Sequence, residues 1–346
     1  GASNGAGEKE EEVERRGAGS AREKKEDGVW GERWTRLEAR AGKLACKDRV
    51  SAIAVCGGGK RALAACHDAS LRVVNLEDMS QVRCFTIGEL ALSSVQVLGN
   101  AATTMEGQGA VVVGSWDNSL SVFELAYGRI QDRIEAAHDD AVSSLALRNN
   151  RLVSGAWDCT VKLWDCSPSG IGKIPVAHLG EHEREVVAVS LGQEGSLAAS
   201  LSADGAVLLH DLRAPNPLAL PRPMAASSIQ VLPSEKHLVV GLESGEIALY
   251  DISDMDRGAI ATIQVQRALK LTCVDSDGRQ WVAGDESGAL HFGAWGGQDG
   301  DDWIPSVGSS VRAHSDHVTA CSVSMGGKQL VSGSHDKMVA AWNFHT

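Results

Sequence analysis

A motif that recurs seven times constrains the fold of this chain more than any other feature of its sequence. Its fullest copy, from His138 to Asp165, reads HDDAVSSLALRNNRLVSGAWDCTVKLWD. Apolar and polar residues alternate there in short runs, broken by Asn-Asn and by Asp-Cys, which predicts three antiparallel strands joined by tight turns. The preceding segment GRIQDRI supplies a fourth predicted strand. Each copy therefore encodes one small four-stranded sheet.

The copies follow one another at intervals of 40 to 49 residues. They align on one position after the second predicted strand, and its occupants are Asp68, Asp117, Asp158, Asp204, Ser244, Ser287 and Asp336. The interval and the Trp-Asp ending resemble the blade of a WD40 repeat protein. Seven blades predict an all-β chain that closes into one seven-bladed WD40 β-propeller. Blades 5 and 6 lack the aspartate and are expected to be softer.

The two ends of the chain have different predicted roles. Residues 1–27 mix Gly, Ala, Ser and charges without an apolar period, which predicts a disordered tail before a propeller at 28–346. The last copy ends after its third strand, so we expect a segment near Arg33–Glu38 to become the outer strand of blade 7 and cover its edge. The Gly- and Asp-rich segment 296–308 is predicted to be a mobile loop.

Charge and hydropathy exclude several classes of ligand and location. The formal net charge is −12, which disfavours binding to a phosphate backbone, so we expect no nucleic acid. No run approaches the roughly 18 apolar residues of a membrane span, and the first residues lack the apolar core of a signal peptide. We therefore expect a cytoplasmic protein without direct membrane insertion.

The eight cysteines point to no metal or disulfide framework. None of them forms a C-x-x-C pair, and most lie inside predicted strands. We interpret them as buried free thiols of a reducing compartment.

Copies three and seven place His, Ser, Asp and Trp in the same order. The two sets are His138, Ser154, Asp158 and Trp164, and His314, Ser332, Asp336 and Trp342. Ser, His and Asp together could indicate a nucleophilic triad. An active site needs only one copy, however, and in WD40 blades these residues form a buried hydrogen-bond chain. The resemblance therefore implies a structural network, and we predict no enzyme.

A metal site was weighed at His314-x-x-His317, with His335 nearby in the predicted fold. His314 belongs to the structural network, and we count no carboxylate or thiol that completes a four-ligand shell. The sequence therefore predicts no metal and no cofactor.

The residue just before the aligned position is expected on the top face of the propeller, around the central channel. Four blades place a ring there, His67, Trp116, Trp157 and His335. Exposed indoles are favoured at binding hot spots, although each Trp could instead pack against the adjacent blade. Acidic side chains share this face by register, namely Asp139, Asp140, Glu243, Asp285 and Glu286. Together they predict a protein or peptide ligand with an apolar anchor and a Lys or Arg.

Three phrases resemble the C-terminal propeller of the BEACH–WD40 proteins. They are IGELALSSVQVL, VVVGSWDNSLSVFELAYGRI and AHDDAVSSLALRNNRLVSGAWDCTVKLW. The resemblance spans roughly Val50 to Phe344 and is densest from Ala91 to Trp164. It implies an upstream BEACH domain and a non-catalytic scaffold in membrane trafficking or signalling. Such a scaffold would bind a partner such as a receptor tail and meet membranes only through partners.

Two other functions were weighed against the BEACH-type scaffold. One is a free-standing WD40 adaptor, such as a substrate receptor of a ubiquitin ligase. The other is a lipid-binding propeller, which is disfavoured because the Arg-Arg-Gly sequence at Arg15–Gly17 lies in the predicted tail.

Overall fold

Seven antiparallel sheets follow one another along the chain. The computed structural model describes residues 42–99, 109–213, 218–219, 225–296, 303–323 and 329–343. Six sheets have four strands each, and the third has five. The predicted all-β, seven-bladed propeller is confirmed. The predicted tail, residues 1–27, lies outside the described residues.

Strand β1 (Gly42–Ala45) precedes blade 1 and belongs to blade 7. Blade 1 contains β2 (Val50–Cys56), β3 (Arg61–Cys66), β4 (Ser70–Asn75) and β5 (Gln81–Thr86). Blade 2 contains β6 (Leu92–Leu98), β7 (Ala110–Ser115), β8 (Leu120–Glu124) and β9 (Arg129–Ile134). Blade 3 contains β10 (Val142–Arg148), β11 (Arg151–Ala156), β12 (Thr160–Ser167), β13 (Gly170–Ile171) and β14 (Ala177–Glu181).

The remaining strands form blades 4 to 7. Blade 4 contains β15 (Val186–Leu191), β16 (Leu197–Ser202), β17 (Val207–Asp211) and β18 (Leu218–Ala219). Blade 5 contains β19 (Ala226–Val231), β20 (His237–Leu242), β21 (Glu246–Asp251) and β22 (Ala259–Gln264). Blade 6 contains β23 (Leu271–Ser276), β24 (Gln280–Asp285), β25 (Ala289–Gly296) and β26 (Ile304–Arg312). Blade 7 contains β27 (Val318–Val323), β28 (Gln329–Ser334) and β29 (Met338–Asn343), with β1 as its outer strand.

Helix is confined to two short turns in the described ranges. They are 3-10 turns at Gly57–Gly59 and Met255–Arg257. Within those same ranges, no helix reaches the length and apolarity needed to cross a membrane.

The first strands of the blades form a closed inner ring. Each contacts the first strand of the next blade, and β27 of blade 7 contacts β2 of blade 1. Hydroxyl groups connect these strands across the blade boundaries. Thr319 Oγ1 donates to the carbonyl oxygen of Val50 at 2.6 Å, and Ser190 Oγ accepts the backbone N–H of Val231 at 2.9 Å. The ring is therefore closed by side-chain bonds as well as by apolar packing.

A glycine on the second strand of several blades allows the next blade to pack closely. A Cβ at Gly155 would lie 2.5 Å from Val186 Cγ1, and one at Gly333 would lie 2.5 Å from Val50 Cγ1. Real Cβ atoms do not approach that closely, so a side chain there would force the blades apart. The Gly in the phrases GSWD, GAWD and GSHD is thus explained by the valine that begins the following blade.

The last blade is closed by an N-terminal strand, as predicted, but the strand differs from the predicted one. β1 runs antiparallel to β29, with Gly42 opposite Ala341 and Ala45 opposite Met338. Leu44 of β1 packs against the apolar cluster of blades 7 and 1. The predicted closing segment, Arg33–Glu38, lies outside the described residues.

The outer strands depart most from the sequence predictions. β26 begins inside the segment 296–308 that was predicted to be a loop, and it pairs with β25 from Ile304 to Arg312. Trp303, just before β26, explains this strand because its ring lies 4.6 Å from that of His237 and 6.3 Å from that of Trp295. Trp303 therefore anchors the start of β26, which the loop prediction for 296–308 did not anticipate.

All eight cysteines carry free thiols. Cys56, Cys66 and Cys166 are buried, but Cys84 on β5 is exposed. The interpretation of the cysteines as buried core residues is therefore wrong for Cys84, which lies on an outer strand.

Candidate partner-binding rim

One backbone hydrogen bond, repeated in all seven blades, builds the top face of the propeller. In each blade the N–H of the residue before the aligned position donates to the carbonyl oxygen of the residue just before the first strand. We call these two residues the rim pair of the blade. The rim pairs are Arg49 with His67, Ala91 with Trp116, Ala141 with Trp157, Glu185 with Ala203, Ala225 with Glu243, Lys270 with Glu286, and His317 with His335.

The rings of blades 7, 1, 2 and 3 form a continuous series, which we call the aromatic arc. Ring centroids lie 6.3 Å apart for His335 and His67, 4.9 Å for His67 and Trp116, and 5.4 Å for Trp116 and Trp157. Trp116 remains 38% exposed and Trp157 41% exposed, because their rim-pair partners are alanines. The indoles thus pack against their neighbours and still present apolar surface to solvent.

The acidic residues predicted for this face have different environments. Asp139 and Asp140 are exposed just before Ala141, the rim-pair partner of Trp157. Glu243 forms an ion pair with Lys270 at 2.5 Å, and Glu286 accepts the backbone N–H of Lys270 at 3.4 Å. The rim therefore divides into an aromatic side and a charged side, and Asp139 and Asp140 lie between them.

Asp285 does not lie on the rim surface as predicted, because its side chain is fully buried in blade 6. It accepts backbone N–H groups from Ser287 at 2.8 Å and Ala289 at 2.9 Å, and His291 Nε2 lies 2.9 Å away. Burial alone would raise the pKa of Asp285, but the hydrogen bonds from His291 and Ser287 outweigh it and lower the pKa to about 2. Blade 6 therefore has a turn aspartate, two residues before the aligned position.

The His–Ser–Asp–Trp set of blade 3 forms one connected chain. Nδ1 of His138 lies 2.9 Å from Asp158, and its Nε2 lies 2.7 Å from Ser154 Oγ. The indole N–H of Trp164 donates to the same Ser154 Oγ at 2.8 Å. Ser154 is fully buried, so no substrate can reach its hydroxyl. Burial lowers the pKa of His138, although Asp158 opposes that shift.

The equivalent set of blade 7 is one bond shorter. Nδ1 of His314 lies 3.1 Å from Asp336, and its Nε2 lies 2.8 Å from Ser332 Oγ. The indole N–H of Trp342 has no hydrogen-bond acceptor within the described part of the chain. The structure thus brings three of the four predicted residues into the network and leaves the fourth as apolar packing.

Blade 4 contains a related chain that sequence reasoning found only in part. His182 Nε2 lies 2.7 Å from Ser200 Oγ, and His210 Nε2 lies 2.8 Å from the same oxygen. Burial lowers the pKa of His210 to about 4. His182 precedes Ser200 by 18 residues, the same spacing as from His314 to Ser332. That spacing was the signal that could have identified it.

Blades 1 and 2 use arginine where blades 3 and 7 use histidine. Arg72 contacts Asp68 at 3.2 Å, and Arg133 contacts Asp117 at 2.7 Å. Arg72 comes from the third strand of its blade and Arg133 from the fourth, so no single sequence spacing relates them. The turn aspartates of both blades are therefore paired, although neither blade has the histidine.

One group on the rim could hold a metal ion. Ligand atoms of Asp316, His317 and His335 all lie within 4.8 Å of one another. It is the one group of this kind in the described ranges. His314 is not part of it, because both of its ring nitrogens contact blade 7 partners.

Comparison with known proteins supports the WD-repeat character of two blades. The family model described as "WD domain, G-beta repeat" matches residues 131–165 and 306–343. Each stretch contains the fourth strand of one blade and the first three strands of the next, which are those of blades 3 and 7 with the networks of His138 and His314. The blades that match are thus the two with the fullest set of His, Ser, Asp and Trp.

Several curated proteins are similar to the chain over part of its length. It is 27% identical over 214 residues to F-box/WD repeat-containing protein 9 of Bos taurus, covering 60% of this chain and 44% of that protein. It is 26% identical to the Homo sapiens protein of the same name, covering 62% of this chain and 46% of that protein. It is 23% identical to Target of rapamycin complex subunit wat1 of Schizosaccharomyces pombe, covering 67% of this chain and 74% of that protein. The chain thus spans less than half the length of the first two relatives.

The resemblance to the BEACH–WD40 family is wrong. The relatives are an F-box/WD repeat-containing protein, a subunit of a target of rapamycin complex and WD repeat-containing protein 55 homologues. The phrases that suggested BEACH–WD40 proteins consist of inner-strand, turn and third-strand residues. The blade framework itself requires these residues, so such phrases do not distinguish one propeller family from another.

Proposed function

We propose that the chain is a non-catalytic protein-interaction scaffold that binds a peptide segment of a partner on its rim. The observation that carries this proposal is the aromatic arc. Adjacent indoles in contact with each other, each about two-fifths exposed, are uncommon on a surface that binds nothing. Tryptophan is also enriched among the few residues that supply most of the binding energy of an interface.

The chemistry of the ligand follows from the two sides of the rim. An apolar side chain of the peptide would pack on Trp116 and Trp157. A Lys or Arg next to it would lie against Asp139 and Asp140, which are exposed beside this surface. The net charge of −12 favours association with a basic segment.

We propose that this scaffold acts as an adaptor, such as a substrate receptor of a ubiquitin ligase. The names of two relatives, an F-box/WD repeat-containing protein and a complex subunit, support an adaptor. No support remains for a BEACH-type module in trafficking or signalling.

The first prediction concerns the two indoles. A random peptide library selected against the unmodified protein should yield peptides with an apolar residue close to a Lys or Arg. Measured by fluorescence anisotropy, the double substitution Trp116→Ala and Trp157→Ala should weaken the binding of these peptides by at least about tenfold, as expected for hot-spot residues. Thermal unfolding should change by only a few degrees, since both side chains are partly exposed.

Tyr127→Ala provides the matched control. Tyr127 is 74% exposed, but it lies in the turn between β8 and β9, at the opposite end of the blade from the rim. Its removal should leave peptide binding unchanged. The proposal fails if the selected peptides bind equally well to the double tryptophan variant, or if that variant unfolds because the indoles are needed for packing.

A further inference from the structure

The rim pair of blade 7 differs chemically from the other six. Both of its members, His317 and His335, carry imidazoles, whereas each of the other pairs has at most one side chain that ligates metal ions. Asp316 precedes His317 and adds a carboxylate, and ligand atoms of all three lie within 4.8 Å of one another. The grouping is therefore specific to one blade and is not a consequence of the repeat.

Hydrogen bonds to the backbone hold these three residues in place. The N–H of His335 donates to the carbonyl oxygen of His317 at 3.0 Å, and Ser334 Oγ donates to the carbonyl oxygen of Asp316 at 3.0 Å. Asp316 Oδ1 accepts the N–H of His317 at 2.8 Å, which orients the carboxylate and leaves its second oxygen available. Binding of an ion would thus order side chains on a backbone that is already fixed.

We propose that Asp316, His317 and His335 bind a zinc ion on the rim. Two imidazole nitrogens and one carboxylate oxygen form a ligand set that zinc accepts, with bonds of about 2.0–2.2 Å, while the fourth position stays open to water. Those bond lengths bring ligand atoms to roughly 3.3 Å from one another in a tetrahedral site. Asp316 and His317 are exposed, so rotation of their side chains can close the remaining gap.

This inference differs from the sequence prediction of no metal for one reason. From the sequence, no carboxylate was found to complete a ligand shell with His317 and His335, whereas the structure brings a carboxylate oxygen of Asp316 close to both histidines. The zinc site shares His335 with the aromatic arc, but it does not include Trp116 or Trp157, on which the proposed peptide binding depends.

The test is to titrate zinc into the chelator-treated full chain and to measure the heat of binding by isothermal titration calorimetry. One site should appear, and His317→Gln and Asp316→Asn should each weaken it by at least about tenfold, because each removes one of three protein ligands. Both residues are exposed, so the variants should unfold at the same temperature as the parent without metal. His178→Gln, which alters an exposed histidine of blade 3, should bind zinc as the parent does.

Cobalt distinguishes this site from the free cysteines, since Cys84 is exposed and could bind zinc by itself. Cobalt bound at the proposed site should give weak visible bands without the intense charge-transfer absorption of a cobalt–thiolate bond. The proposal is overturned if zinc binding does not saturate, if bound cobalt shows a thiolate band, or if the parent and His317→Gln bind zinc with equal affinity.

Discussion

Trp164 and Trp342 occupy equivalent places in blades 3 and 7 but differ in what their indole N–H groups contact. Trp164 donates to Ser154, whereas Trp342 has no acceptor among the residues that the structure describes. The sequence predicts both positions correctly, because their spacing from the turn aspartate is the same. It does not predict the bond, because a shift of a fraction of an ångström in a side chain decides whether it forms.

This difference gives a matched pair of substitutions. Trp164→Phe removes a buried hydrogen bond, whereas Trp342→Phe removes an N–H that has no acceptor. We expect Trp164→Phe to lower the free energy of unfolding by about 1 kcal/mol more than Trp342→Phe. Denaturant unfolding of both variants measures the difference, and equal losses would show that the bond to Ser154 contributes nothing.

Asp275 should make stability depend on pH in the mildly acidic range, between about pH 4 and 6. It lies where blades 5, 6 and 7 meet, and it accepts hydrogen bonds from Gln230, Ser276 and Val323. Burial nevertheless raises its pKa from 3.8 to about 6. A raised pKa means that the folded state favours the neutral carboxyl. The stability that the neutral carboxyl contributes is therefore full below the ordinary pKa of 3.8 and is lost as pH rises through about 6.

The substitution Asp275→Asn tests this dependence. Asparagine stays neutral, so the variant should gain stability relative to the parent at about pH 7.5, should keep about half of that gain at about pH 5 and should lose most of it at about pH 4. Thermal unfolding of both proteins at each pH measures the difference, and the comparison cancels the contribution of the buried histidines. A difference that is independent of pH would contradict the prediction.

At the level of strands, the first three of each blade and the outer strand Arg129–Ile134 of blade 2 were predictable, whereas the outer strands of blades 6 and 7 were not. The second and third strands carry short, nearly continuous buried runs because neighbouring blades cover both of their faces, and such runs bounded by turn residues indicate buried strands. An outer strand pairs along one edge only, so its sequence is less constrained. The Gly- and Asp-rich residues that precede β26 indicated a loop there, and β1 lies further along the chain than the segment Arg33–Glu38.

β1 should matter more to stability than its four residues suggest. The N–H of Cys46 donates to the carbonyl oxygen of Lys337, and the N–H of Val265 donates to the carbonyl oxygen of Gly245. N–H groups two residues apart in a strand point the same way, so those of Leu44 and Ile263 also point at the neighbouring third strand of their blade. Proline at either position removes one outer-strand bond. We expect Leu44→Pro to lower the thermal midpoint more than Ile263→Pro, because only β1 closes the ring. Equal decreases would mean that closure adds no stability.

At the level of the whole molecule, the seven-fold repeat was sufficient to predict the architecture. The positions of Trp116 and Trp157 on one face followed too, because a backbone hydrogen bond fixes the same register in every blade. The contacts of Arg72, Arg133 and Asp285 could not be predicted, nor could the approach of the Asp316 carboxylate to His335. They join residues at different distances from the turn, and only the three-dimensional packing brings those side chains together.

The pairing of β1 with β29 also determines when the protein can finish folding. During synthesis, Gly42 is made long before Ala341, its partner in the register. Blades 1 to 6 can each be completed as they are made, but blade 7 must wait for both of its distant segments. Such a long-range pairing is slow to form, and until then the edge of β29 is exposed to other chains. The step that closes the ring is therefore also the interval in which newly made chains are most exposed to aggregation.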